Sequence, residues 1–302
     1  MESTAASAAA SAAASAPAAG EPGRGARPAI EFAGVTQRFS PPTGRPFLAL
    51  DGVDFSVAEA EFCSVVGPSG CGKSTLLNMA AGLIAPTGGA VRVQGGRVTG
   101  VNTSIGYVSQ DSNLFPWLTA RQNIELALEV KKFPAKRRRA LGTEWLELVG
   151  LDGFADSYPH QLSGGMQKRC SIARTLCYDP DVVLLDEPFG AVDAITRSVL
   201  QEVLLDLWSS RRKSVMFVTH DLNEAITLSD KVVVMTRRPG RIKAVVDIPL
   251  PRPRNVYEIG ESAEFAAVHQ RLWHHFRTEI DTAGRRGRQG TETEEDRHGD
   301  DD

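Results

Sequence analysis

The segment Gly67-Pro68-Ser69-Gly70-Cys71-Gly72-Lys73-Ser74-Thr75 constrains this chain more than any other. It follows the strand-like run Glu61–Val66 and precedes a helix-like stretch from Ser74 to Gly82, with Leu76, Leu77, Ala80 and Ala81 on its apolar side. The spacing G-x-x-x-x-G-K-[ST] in a strand–loop–helix setting is that of a phosphate cradle. Glycines let the backbone turn tightly enough to aim successive N–H groups at one anion, and the following helix adds its positive dipole end. Lys73 would neutralise the outer phosphates of a nucleotide, and the Ser74 hydroxyl would ligate Mg²⁺.

Around this loop, short apolar runs alternate with helical patterns. Val182–Leu185, Val215–Val218 and Lys231–Met235 are rich in β-branched residues and suit strands buried on both faces. Asp221–Leu228 reads as a helix between the last two, which implies an α/β sheet with crossover connections. From about Ser112 to Gly164 the pattern turns helical. Leu118–Glu129 and Lys136–Val149 are predicted helices, the second opened by Pro134 and stopped by Gly150. This stretch is expected to be a helical insert in the α/β core.

The ends differ from the middle. Residues 1–28 are dominated by Ala, Ser and Pro, lack the basic n-region of a signal peptide, and are expected to be disordered. Residues 283–302 crowd Gly, Arg, Glu and Asp with almost nothing to bury, and are expected to form a second disordered tail. The domain proper is placed at 29–282. A net charge of −3 offers no global field for nucleic acid. Cys63, Cys71, Cys170 and Cys177 form no C-x-x-C pair, and read as buried thiols in a reducing compartment. The histidines His269, His274 and His275 do not share a helix face, which argues against a metal site there. Lys136–Arg139 reads as a solvated helix face, and Phe265, Val268, Leu272, Phe276 and Ile280 as one helical packing stripe.

Asp186 and Glu187 close the apolar run that starts at Val182. Strand C-termini form the ligand-bearing edge of a parallel sheet, so both carboxylates are expected beside the phosphate loop. Asp186 would hold Mg²⁺. Glu187, one residue on, would point at an attacking water as general base.

Leu162-Ser163-Gly164-Gly165-Met166-Gln167-Lys168-Arg169 resembles the signature motif of ATP-binding-cassette (ABC) ATPases, and the resemblance covers about residues 30–280. A Ser-Gly-Gly turn at a helix N-terminus is a second anion site, and the resemblance implies that it serves the ATP of a partner chain. Met166 replaces the usual Gln, whereas Ser163 and Gly165 remain. The resemblance implies further roles. Gln110 looks like the Q-loop glutamine that senses Mg²⁺ and water, His220 like the switch histidine at the γ-phosphate, and Asp193 like the D-loop aspartate, with Val192 where Leu is usual. Phe39 stands where an aromatic stacks on adenine, and can stack although it lacks the hydroxyl of the common Tyr. The implied fold is a P-loop NTPase core, a mixed and mainly parallel sheet with flanking helices, carrying an ABC-type α-helical insert.

The chain carries one cassette and no run of about 18 apolar residues. The resemblance therefore implies separate transmembrane permease subunits, a second ATPase subunit (a homodimer), an indirectly acting solute-binding protein, and a place on the cytoplasmic face of the plasma membrane. Leu114–Thr119 and Arg237–Ile242, continuing to Ile248–Arg254, are similar to stretches of nitrate/sulfonate/taurine import ATPases. Import of another small solute, a soluble non-transport ATPase, and a non-hydrolysing nucleotide sensor stay open as alternatives.

Overall fold

The computed structural model describes residues 28–291 apart from Ala191, with side chains to Arg277. The tail expected over 1–28 therefore lies almost wholly outside the described residues, as does the end of the second tail. Among the described residues ten strands run β1 (Pro28–Phe39), β2 (Phe47–Ala58), β3 (Phe62–Val66), β4 (Gly88–Val93), β5 (Gly96–Arg97), β6 (Gly106–Val108), β7 (Val182–Asp186), β8 (Ser214–Thr219), β9 (Lys231–Met235) and β10 (Ile242–Asp247). The α-helices are α1 (Lys73–Ala80), α2 (Ala120–Val130), α3 (Ala135–Leu148), α4 (Gly164–Leu176), α5 (Ala194–Arg211), α6 (Leu222–Leu228) and α7 (Ala263–Thr291).

The strands form two sheets. One has six strands in the order β10-β9-β3-β8-β7-β6, parallel except for β10 at its edge. The other has four antiparallel strands, β2-β1-β4-β5. Strand alternation sends successive side chains of the six-stranded sheet to opposite faces. Val183 and Leu185 of β7, with Val215 and Phe217 of β8, pack against α2, α4 and α5. Val182 and Leu184, with Met216 and Val218, pack against α1 and the antiparallel sheet. All five residues of β7 are buried, as a strand covered on both faces requires. A third cluster joins α6, β9 and the α7 stripe, where Phe265, Val268 and Leu272 are buried and Phe276 is partly so. Ile280 falls beyond the described side chains.

The helical insert starts where α2 is closed by a capping box, Thr119 Oγ1 accepting from the Gln122 N–H while Gln122 Oε1 accepts from that of Thr119. Pro134 caps α3, and Gly150 follows it with a φ of 63°. The last helix continues past the Ala283 boundary to Thr291.

Candidate nucleotide site

The parallel strands aim their carboxyl ends at one edge. The phosphate loop leaves β3 there, and the register pairs Val66 with Thr219, Asp186 with Val218, and Val108 with Leu185. Gly67, Gln110, Glu187 and His220 therefore emerge at neighbouring points along this edge. Gly70 and Gly72 take φ values of 73° and 106°, and a Cβ on Gly72 would lie 2.5 Å from Leu50 Cδ2. Only glycine satisfies both the turn and the packing at that position.

Lys73 is buried, its ammonium donating to the Gly67 carbonyl at 2.8 Å and the Pro68 carbonyl at 3.2 Å. The Ser74 hydroxyl donates to Asp186 Oδ1 at 3.0 Å. Burial pushes the Asp186 carboxyl above its ordinary pKa, and the Ser74 bond opposes this. Hydroxyl and carboxylate oxygens thus converge beside a glycine cradle, with the Gln110 amide one strand over. This hard oxygen donor set suits Mg²⁺. Glu187 sits in the left-handed region with φ 43°, an unusual backbone for a carboxylate residue and one that re-aims its side chain at the strand end. Glu187 Oε2 lies 3.5 Å from His220 Nδ1. The loop, Asp186, Glu187 and His220 thus lie along one edge of the sheet, bringing two carboxylates, an imidazole and an ammonium to it.

Other predicted residues make local contacts. Ser163 caps α4, its Oγ accepting from the Met166 N–H at 3.2 Å, and Ser163 and Gly164 are exposed while Leu162 is buried. Asp193 caps α5, and the Thr196 N–H donating to its carboxylate holds its pKa below the usual range. Phe39 is half-buried, its ring 5.6 Å from that of Phe47 across the β1–β2 pair. All four cysteines are buried.

Three features escaped the sequence reading. Lys168 on α4 is buried, and donates to the carbonyls of Ser109 at 2.6 Å and Gln110 at 2.8 Å. Burial lowers its ammonium to about 8, against the pull of Asp186, Asp111 and Glu187. Its signal was a lysine one turn before the apolar Ile172 on an otherwise buried helix face. Arg238 lies over the Phe47 ring at 4.5 Å, with Nη2 donating to the Gly70 carbonyl at 3.5 Å. Glu224 accepts a 2.6 Å bond from Thr219 Oγ1 directly behind His220.

A parallel α/β sheet with a glycine cradle, a buried lysine and a serine–aspartate pair at its carboxyl edge defines a P-loop nucleotide hydrolase. Residues 50–190 match the family model described as ABC transporter. An uncharacterised ABC transporter ATP-binding protein of Methanocaldococcus jannaschii is 51% identical over 212 residues, 70% of this chain and 79% of that protein. An aliphatic sulfonates import ATP-binding protein of Bacillus cereus is 46% identical over 226 residues, 75% of this chain and 88% of that one. A dimeric ATP-binding cassette solved in a post-hydrolysis state with ADP and Pi is 32% identical, with a TM-score of 0.67 over 74% of this chain and 100% of that structure. The chain belongs to the ABC transporter family. It binds and hydrolyses ATP.

Proposed function

We propose that this chain is the ATPase subunit of an importer for a small solute, with a sulfonate, taurine or nitrate as cargo. Two copies pair so that Lys73 and its loop grip ATP from one side, and Ser163, Gly164 and Gly165 of the partner grip it from the other. The reading is supported by the placing of the loop, Asp186, Glu187 and His220 along one sheet edge. Sulfonate import is what the Bacillus cereus relative is named for.

In this reading Glu187 orients and deprotonates a water in line with the γ-phosphorus, and ADP is the leaving group. His220 holds the γ-phosphate and, 3.5 Å from Glu187, limits where that carboxylate can swing. Lys73 exchanges its two loop carbonyls for phosphate oxygens. Phe39 stacks on adenine. Ser74, Asp186 and Gln110 would hold Mg²⁺, which when bound neutralises charge on the phosphate oxygens. Asp193 faces the partner at the dimer seam.

Among the described residues no helix is long and apolar enough to cross a membrane, so the solute path belongs to permease subunits. An open groove between β6, α2 and α4, lined by Ile105, Tyr107, Phe115, Val130 and Tyr178, is where a permease helix docks in this reading. Exposed Trp117, 5.5 Å from Phe115, flanks it. That docking puts the chain on the cytoplasmic membrane face, with the solute-binding protein acting through the permease.

The test is Glu187→Gln. The amide keeps the shape but cannot take a proton, so turnover should fall by about 10²- to 10⁴-fold while ATP binding persists. Gel filtration with ATP should then show a trapped dimer. Undiminished phosphate release, or a strictly monomeric chain that hydrolyses at full rate, overturns the reading. Uptake of nitrate, taurine and alkanesulfonates by cells lacking the chain decides the solute.

A further inference from the structure

The loop that follows β6 is held by α4. Lys168 donates to the Ser109 and Gln110 carbonyls at 2.6 and 2.8 Å. Arg174 donates to the Ser112 and Asn113 carbonyls at 3.1 and 2.8 Å. The Ser112 hydroxyl donates to Gln167 Oε1 at 3.1 Å. Three side chains of a single helix thus fix the path of the backbone from Ser109 to Asn113. Lys168 is the costly member, because an ammonium 3% exposed is favourable only when its donors are satisfied. Both carbonyl bonds are charge-assisted and therefore stronger than neutral ones. Methionine in that place would fill the same volume without the desolvation cost, so the charge is explained by what it holds.

What it holds is the backbone of Gln110. The same helix begins at Ser163, the exposed turn that faces the partner's nucleotide in the reading above. We propose that Lys168 is a positioning residue for Gln110: it ties the signature helix to the glutamine loop as one body, so that the seating of α4 on the partner's ATP sets the place of Gln110 in its own site. The proposal rests on the assignment of Gln110 to the metal and the water.

Lys168→Met, Gln110→Ala and the double variant form a cycle with the wild-type chain. With Mg-ATP, Lys168→Met should lower kcat by about tenfold or more, the scale of a misplaced catalytic group, with ATP affinity in EDTA changed less than about twofold. The Mg²⁺ concentration for half-maximal rate should rise in both single variants. The double variant should be no slower than Gln110→Ala alone, because one residue acts through the other. Lys168→Arg, which keeps the donors and the charge, should recover most of the rate. Should Lys168→Met lose its near-UV circular dichroism, the cycle is run with Lys168→Gln. Independent, multiplicative losses overturn the proposal, as does an unmoved Mg²⁺ dependence or a folded Lys168→Arg as slow as the methionine variant. A fully active Gln110→Ala sinks the site reading itself and the proposal with it, whereas an impaired Gln110→Ala beside a silent Lys168→Met sinks the proposal alone.

Discussion

At the scale of single residues, the groups behind the carboxyl edge of the sheet are as constrained as those on it. Glu224 is buried beneath His220, accepting from Thr219 Oγ1 and lying 3.7 Å from Arg197 Nε. Burial raises its pKa, with Asp221 adding to the rise and Thr219, Arg197 and His220 opposing it. The folded chain therefore holds this proton to higher pH than the unfolded chain does. The associated stability is present below the ordinary glutamate value and is lost as pH rises through the folded one. Glu224→Gln keeps the Thr219 bond and removes the titration. Its melting temperature relative to wild type should climb between pH 4.5 and pH 8, by a few degrees at most for a partly compensated charge. A gap that is flat or shrinks over that range contradicts the account. The place of Glu187 at a strand end was legible from the apolar run before it, whereas His220 was singled out by its resemblance to the family's switch histidine. Lys168 was not, because a lysine at a buried helix position reads as an error until the carbonyls it meets are known.

Elements contribute by where they press on one another. The turn between β9 and β10 is clamped to β2, with the Gly240 N–H donating to Ala49 and its carbonyl accepting from the Asp51 N–H. Arg241 adds an ion pair to Asp51. A Cβ on Gly240 would stand 2.0 Å from the Cys71 carbonyl, inside the phosphate loop. Gly240→Ala must push that loop or the β9–β10 turn aside, at a cost of roughly 1–3 kcal/mol for overpacking. The expected result is a lower melting temperature together with an ATP affinity weaker by about tenfold, since the displaced backbone carries the phosphate-binding N–H groups. Wild-type ATP affinity in that variant would mean the loop tolerates the intrusion. Sequence similarity had singled out Arg237–Ile242 without a mechanism. This contact supplies one.

For the molecule as a whole, three apolar clusters divide the work: one under the helical insert, one beneath the antiparallel sheet, one under α7. The cysteines report on all but the last. Cys170 and Cys177 lie in the first cluster, Cys63 and Cys71 in the second. Burial pushes the thiols of Cys63, Cys170 and Cys177 up to about 12, so the reactive thiolate is scarce at neutral pH. Ellman's reagent should leave the native chain unlabelled and titrate four thiols in guanidinium. Labelling of the folded chain at stoichiometric level would show that the insert or the loop opens well below global unfolding.

The sequence by itself determined the phosphate loop, the acidic strand end and the helical insert, because each is written in contiguous residues whose local geometry follows from their types, whereas His220 was singled out by the family resemblance. It placed the core strands β3, β7, β8 and β9 for the same reason, since a run buried on both faces must be apolar throughout. It did not yield the separate antiparallel sheet, whose half-exposed strands β1, β2 and β4 carry mixed patterns and irregular registers. Only the tertiary structure decided which carbonyls Lys168 and Arg174 reach, that Gly240 rests on Cys71, and that Glu224 stands behind His220. These contacts join residues distant in the chain or turn on burial, and no local propensity encodes what a side chain meets once the layers close.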